Sequence, residues 1–238
     1  MTTFARPESK NRYTQCIDAS RRVRWDIDQD VLRGRSFDLT HKFLPDGLSL
    51  VHELTFLSAA ERLLASQIQG RTYANLFGLV ERFIAAKTIE VCRQHSLGDQ
   101  QALEALVRFT DEELKHQQLF ARVERMLAAV MPAGYSFVLE PNAVAEVVLG
   151  KSNWAVLALI CHIELFVLAH YRESIAPDAA LSPVWKESWA QPRRPYRRRF
   201  PRQVRGAMPL RPFPRHVLWP SQRMHCRRLL RGTTTKWI

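Results

Sequence analysis

Acidic residues are absent from the last 51 residues of this 238-residue chain. That segment, residues 188–238, contains 13 Arg, one Lys and seven Pro, which gives it a net charge of +14. Residues 1–187 carry the other 21 basic residues and all 23 acidic residues, a net charge of −2. The formal charge of +12 therefore comes from the C-terminal segment alone, and the two segments are interpreted separately.

Glycine, paired cysteines and signal-like segments are also scarce. Only 9 Gly argue against a turn-rich β-sandwich or barrel, while 46% hydrophobic residues exclude a wholly disordered chain. The first ten residues contain no apolar run, so we expect no secretory signal. The four Cys include no close pair, which favours reduced thiols and a cytoplasmic protein over a disulfide framework.

A long uninterrupted apolar run is missing as well. The longest one, residues 154–169, has 16 residues and includes His162 and Glu164. A membrane-spanning helix needs about 20 predominantly apolar residues. We therefore expect a buried helix here and no membrane partner.

Helix-capping patterns dominate the centre of the chain. Ser58 and Glu61 form a capping box that opens a predicted long helix extending to Gln94. Asp99 then precedes residues 100–130, which predict a second long helix. Because the connection between them is short, the two helices are predicted to form an antiparallel hairpin.

Two more helices are predicted after this hairpin. A third runs from Trp154 to about Ser174, and Ser182 followed by Pro183 opens a fourth. Prolines from Pro192 onward prevent that helix from continuing, at a cost of about 3 kcal/mol each. The predicted fold class is all-α, a four-helix bundle whose fourth helix is incomplete.

These elements predict three regions. Residues 1–47 are expected to form an arm on the core, residues 48–187 a helical domain, and residues 188–238 an irregular, disordered or frameshifted Arg/Pro-rich tail.

Three acidic residues fall at predicted internal positions. Glu164 lies in a helix that is apolar around its whole circumference, where an unpaired carboxylate would cost several kcal/mol. Glu113 and His116 form a Glu-x-x-His pair, whose spacing places both side chains on one helix face. Reflecting Glu113 across the hairpin turn reaches residue 82, next to Glu81.

Ordinary structural roles remain open for these acids. Glu164 could lie at a partly exposed seam or pair with an Arg. Glu81 could form a surface salt bridge with Arg82 or Lys87.

The pattern resembles the ferritin-like di-iron carboxylate superfamily, in which two helices each supply one Glu and two others each supply a Glu-x-x-His. The resemblance covers about residues 48–187 and implies Glu81, Glu113, His116 and Glu164 as metal ligands. Residues 67–75 look more like the oxygenase branch, which includes p-aminobenzoate N-oxygenase-like proteins, than like ferritin cages. In the complete family, two irons activate O2 to oxidise a small organic substrate, and a homodimer is one possible assembly.

The second Glu-x-x-His of that family is missing. It is expected at residues 195–198, where the chain reads Pro-Tyr-Arg-Arg, and no acid follows Glu187. The remaining ligands could complete one metal site but not two. We therefore expect at most about one Fe, or Mn in its place, in an impaired relative of these oxygenases.

The basic tail allows two interpretations. Its Arg and Pro content, beginning inside a helix signal, is what GC-rich DNA yields when it is translated out of frame. Alternatively, Arg residues interleaved with aromatic ones could bind phosphates and stack on bases. The alternative function is thus a non-enzymatic helical scaffold whose tail binds nucleic acid or an acidic partner.

Overall fold

The computed structural model describes residues 7–22 and 24–190, and this part of the chain is mostly helical. No β-strand occurs within it, so the all-α prediction is confirmed there. Seven α-helices are present in the described residues: α1 Pro7–Arg22, α2 Asp46–Ser49, α3 Ala59–Cys92, α4 Gln100–Val130, α5 Pro141–Leu149, α6 Asn153–His170 and α7 Pro183–Ala190.

The central feature is the predicted hairpin of α3 and α4. Ser58 Oγ accepts a hydrogen bond from the backbone N of Glu61, whose carboxylate in turn accepts from the backbone N of Ser58, so the capping box forms. Asp99 caps α4 by accepting from two backbone N–H groups. The contacts of Gln117 with Glu81 and of Glu124 with Arg71 show that the two helices run antiparallel in nearly the predicted register.

The N-terminal segment is more regular than the predicted arm. It begins with helix α1, which packs against α4 and is joined to it by an Arg21–Glu104 ion pair of 2.8 Å. A π-helical turn, Ile27–Leu32, follows and is capped by Asp26. Because α1 is a polar helix, its sequence lacks the apolar periodicity from which helices are predicted.

Helix α6 is not the buried helix that the sequence predicted. Only Val156, Ile160 and Ile163 are buried along it, and Trp154 is 70% exposed. The described part of α7, the predicted fourth helix, is eight residues long against eighteen in α6, so it is too short to cover α6 along its length. Most of the apolar surface of α6 therefore has no described helix opposite it.

The same segment also passes a test for a membrane-spanning helix. Asn153–Ile175 is 23 residues long with a mean hydropathy of 1.7, so by length and composition it could cross a membrane. A single helix of this kind is weak evidence, since core helices of soluble proteins pass the same test.

Helix α7 supplies the largest side chains of the core. Trp185 and Trp189 are fully buried, and the Trp189 ring packs on Phe77 of α3 and Phe120 of α4. The predicted opening of a fourth helix at Pro183 is confirmed. Trp189 therefore joins α7 to the α3–α4 hairpin, while the Trp185 ring packs on Phe37 of the N-terminal segment.

Close packing requires glycine at residue 70. A Cβ atom there would lie 2.5 Å from Phe43 Cβ and 2.6 Å from the Phe43 carbonyl oxygen. At Gly78 in the same helix, a Cβ atom would meet Phe120 Cβ at an ordinary 3.4 Å.

We expect Gly70→Ala to destabilise the protein by about 2 kcal/mol, because overpacking outweighs the roughly 1 kcal/mol that Ala contributes to helix propensity. Gly78→Ala is the matched control and should leave the stability unchanged or raise it. Urea unfolding followed by circular dichroism measures both variants. Equal stability of the two variants would contradict the close approach of Phe43.

Several predictions fall outside the described residues. They are the basic tail with its frameshift and nucleic-acid interpretations, and the missing Glu-x-x-His pair at 195–198. The chain divides into two compact units, residues 1–197 and 198–238, and every described residue belongs to the first.

Candidate metal centre

Three of the four candidate ligands meet inside the α3–α4 hairpin. Glu81 comes from α3, and Glu113 and His116 come from α4. One potential ligand atom from each residue lies within 4.8 Å of the others. His116 Nδ1 is 3.2 Å from Glu113 Oε2 and 3.8 Å from Glu81 Oε1.

Local geometry explains this convergence. The i, i+3 spacing of Glu113 and His116 places them on one face of α4, one above the other. Gln117 Nε2 donates a hydrogen bond of 3.1 Å to the backbone oxygen of Glu81, which aligns the two helices at this level. The three residues are 8% (Glu81), 2% (Glu113) and 8% (His116) exposed, so the cluster is buried.

Burial and mutual charge perturb two of these groups. Burial, followed by the negative charge of Glu81, raises the pKa of Glu113 from 4.5 to about 8. Burial alone would lower the pKa of His116, but its hydrogen bonds to Glu113 and Glu81 outweigh this and raise it well above 6.5. Both shifts favour protons bound to the cluster when no metal is present.

One carboxylate oxygen of the cluster has no hydrogen-bond partner. Glu81 Oε2 is buried and accepts no hydrogen bond. Leaving a buried acceptor unsatisfied costs about 1–3 kcal/mol, and more for a charged group. A cation bound between the three side chains would satisfy this oxygen.

Glu164, the fourth candidate ligand, is not part of this group. Side-chain contacts of Tyr73 with His170 and of Phe77 with Phe166 show that α6 runs antiparallel to α3. This register places Glu164 close to the level of Glu81, but its side chain is only half-buried. Burial and the negative charge of Glu164 together raise the pKa of the Cys161 thiol.

Residues 67–75, whose sequence was compared above with the oxygenase branch, include side chains with structural contacts. Gln67 donates hydrogen bonds to the backbone oxygens of Leu39 and His41, which attaches the N-terminal segment to α3. Arg71 forms a bidentate ion pair with Glu124 that joins α3 to α4.

Two residues beside the cluster were not found from the sequence. Trp25 stacks on the His116 ring and donates a hydrogen bond to Glu112, the residue before Glu113. Trp25 and Glu112 are 87 residues apart in the chain. No spacing rule relates residues so distant, so only the packing of the N-terminal segment on α4 reveals them.

No family model, curated protein or solved structure matches this chain. Its function must therefore be argued from the geometry of the cluster and from the residues that form it.

Proposed function

We propose that this protein is a ferritin-like, metal-binding helical protein related to the di-iron oxygenases. In this proposal it binds one divalent transition-metal ion, iron or manganese, between Glu81, Glu113 and His116. The observation that carries the proposal is a buried cluster of two carboxylates and one imidazole in which one carboxylate oxygen has no partner.

Charge balance supports a divalent ion. Two carboxylates in one buried cluster repel each other unless protons or a cation neutralise them. A divalent ion bound by two carboxylates and a neutral imidazole gives a site of zero net charge, and it replaces the protons held by Glu113 and His116. Carboxylate oxygens suit Mn, and an imidazole nitrogen beside them suits Fe.

The residues available limit the site to about one ion. Two carboxylates and one imidazole leave coordination positions open, and Glu164 on α6 lies close to the same level as a further carboxylate. The segment expected to supply the second Glu-x-x-His, residues 195–198, contains no acid and no histidine.

The resemblance suggests what the metal would do. In the complete family, two irons activate O2 to oxidise a small organic substrate. With one ion, this chain would keep a redox-active centre inside a helical scaffold, and we propose that its oxygenase activity is impaired.

Metal analysis of the purified protein tests the proposal. We expect at most about one Fe or Mn per chain, and loss of that metal in Glu113→Ala. Glu104→Ala is the control, because Glu104 lies on the same helix in surface ion pairs with Arg21 and Arg108. Glu164→Gln shows whether the neighbouring carboxylate contributes to binding.

Two outcomes would contradict the proposal. Two tightly held ions per chain would show that the ligands of a second site are present after all. Equal metal content in wild type and Glu113→Ala would show that the metal is bound elsewhere.

A further inference from the structure

Trp25 covers one side of the His116 ring. The two rings are stacked, with centroids 5.8 Å apart and planes inclined by 26°. Trp25 is 8% exposed and belongs to the segment between α1 and the π-helical turn, so it reaches the cluster from outside the hairpin. Stacked aromatic rings at this separation attract each other by about 0.5–1.5 kcal/mol beyond the burial of their area.

The indole is itself held in place by the helix that carries the ligands. Its Nε1 donates a buried hydrogen bond of 2.9 Å to Glu112 Oε2. Lys115 Nζ lies 3.3 Å from Glu112 Oε1 and 5.7 Å from the centroid of the Trp25 ring. One turn of α4 therefore presents both the ligands Glu113 and His116 and the two side chains that hold Trp25.

We propose that Trp25 is a positioning residue of this metal site, which holds the His116 ring so that Nδ1 faces Glu81 and Glu113. This inference rests on the proposed function. An imidazole without such a contact can rotate about its side-chain bonds and present either nitrogen or neither to an ion. The stacked indole restricts the plane of the ring, and the hydrogen bond to Glu112 restricts the indole.

The inference gives the N-terminal segment a function. That segment folds onto α4 through the Arg21–Glu104 and Arg122–Asp28 ion pairs as well as through Trp25. Residues behind metal ligands commonly change metal affinity by 10–100-fold when they are substituted.

Cobalt binding to the metal-free protein tests this role, because the visible spectrum of Co²⁺ reports the geometry of its ligands. We expect Trp25→Leu to weaken Co²⁺ binding about tenfold and to change the spectrum. Trp25→Phe keeps an aromatic ring but loses the hydrogen bond to Glu112, so a smaller loss is expected. Glu112→Ala should produce a loss similar to that of Trp25→Phe.

The double variant Trp25→Phe with Glu112→Ala should lose no more affinity than either single variant, because both changes remove the same hydrogen bond. Trp154→Leu is the control, since this tryptophan is exposed on α6. If folded Trp25→Leu binds Co²⁺ with unchanged affinity and spectrum, the positioning role is wrong. If that variant does not fold, unchanged binding in both Trp25→Phe and Glu112→Ala would overturn it instead.

A second readout separates this inference from the metal proposal. In the metal-free protein, the His116 ring protons should show upfield NMR shifts from the indole ring, and Trp25→Leu or Trp25→Phe should change them. If wild type binds no metal but shows these shifts, the metal proposal fails while the positioning of His116 by Trp25 stands. If the shifts are absent from wild type, the positioning inference fails whether or not metal binds.

Discussion

Glu113→Gln is expected to stabilise the metal-free protein while abolishing metal binding. The pKa of Glu113 is raised to about 8 by burial and by the charge of Glu81, so folding at pH 7 requires this carboxyl to take up a proton. That uptake costs about 3 kcal/mol relative to a neutral side chain of the same shape. The amide of Gln avoids this cost but is a much poorer ligand for iron or manganese.

Thermal unfolding in the presence of a chelator measures this effect. For a domain of this size we expect the melting temperature of Glu113→Gln to lie roughly 5–10 °C above that of wild type. Glu104→Gln is the control. It removes a partly exposed ion pair with Arg108, and such pairs contribute little to the free energy of unfolding, so the melting temperature should change only slightly. A melting temperature well below that of wild type would show that Glu113 stabilises the metal-free fold.

The stability of the metal-free protein is expected to fall as the pH rises from about 5 to above 8. The pKa values of Glu113 and His116 are both higher in the folded protein than in an unfolded chain. At a pH between the unfolded-state pKa and the folded-state pKa of either group, the folded protein binds more protons than the unfolded chain. Raising the pH through this range therefore favours unfolding. Each group contributes up to about 1.4 kcal/mol per pH unit within its own interval.

Metal affinity should change in the opposite direction. A divalent ion competes with the protons bound by Glu113 and His116, so binding releases protons and strengthens as the pH rises. Glu112 and Lys115 on α4 are ionisable groups beside the cluster, and they form an ion pair of 3.3 Å with each other.

Urea unfolding at pH 5 to 8 with a chelator measures the pH dependence of stability. Calorimetric titration with metal in two buffers of different ionisation enthalpy measures the proton release on metal binding. Glu113→Gln should flatten the stability profile from pH 5 to 8, because it removes the Glu113 proton and also the negative charge that helps to raise the pKa of His116. Stability that rises with pH, or metal binding without proton release, would contradict the protonation assigned to the cluster.

Local sequence signals were sufficient to predict the α3–α4 hairpin and the approach of Glu81 to Glu113 inside it. The capping box at Ser58 and the N-cap at Asp99 act within one helical turn, so they can be recognised without knowledge of the rest of the fold. Once the turn is located, the constant rise of an α-helix places Glu81 opposite Glu113 by arithmetic. These predictions depend only on the chain itself and on helix geometry.

Predictions that depend on distant partners were less successful. Helix α6 is apolar all round, and its composition alone predicts burial, yet burial requires a neighbouring helix long enough to cover it. Helix α1 is polar, and its place on α4 depends on contacts such as Arg21–Glu104 that no local pattern indicates.

The sequence by itself thus determined the all-α class, the long helices α3 and α4, and the approach of Glu81 to Glu113 and His116. Only the tertiary structure decided that Glu164 lies outside the cluster and that Trp25 and Glu112 lie beside it. The physical reason is the range of the interactions. Caps and helical periodicity act over a few residues, whereas stacking on His116 and burial of α6 depend on segments that meet only after the chain has folded.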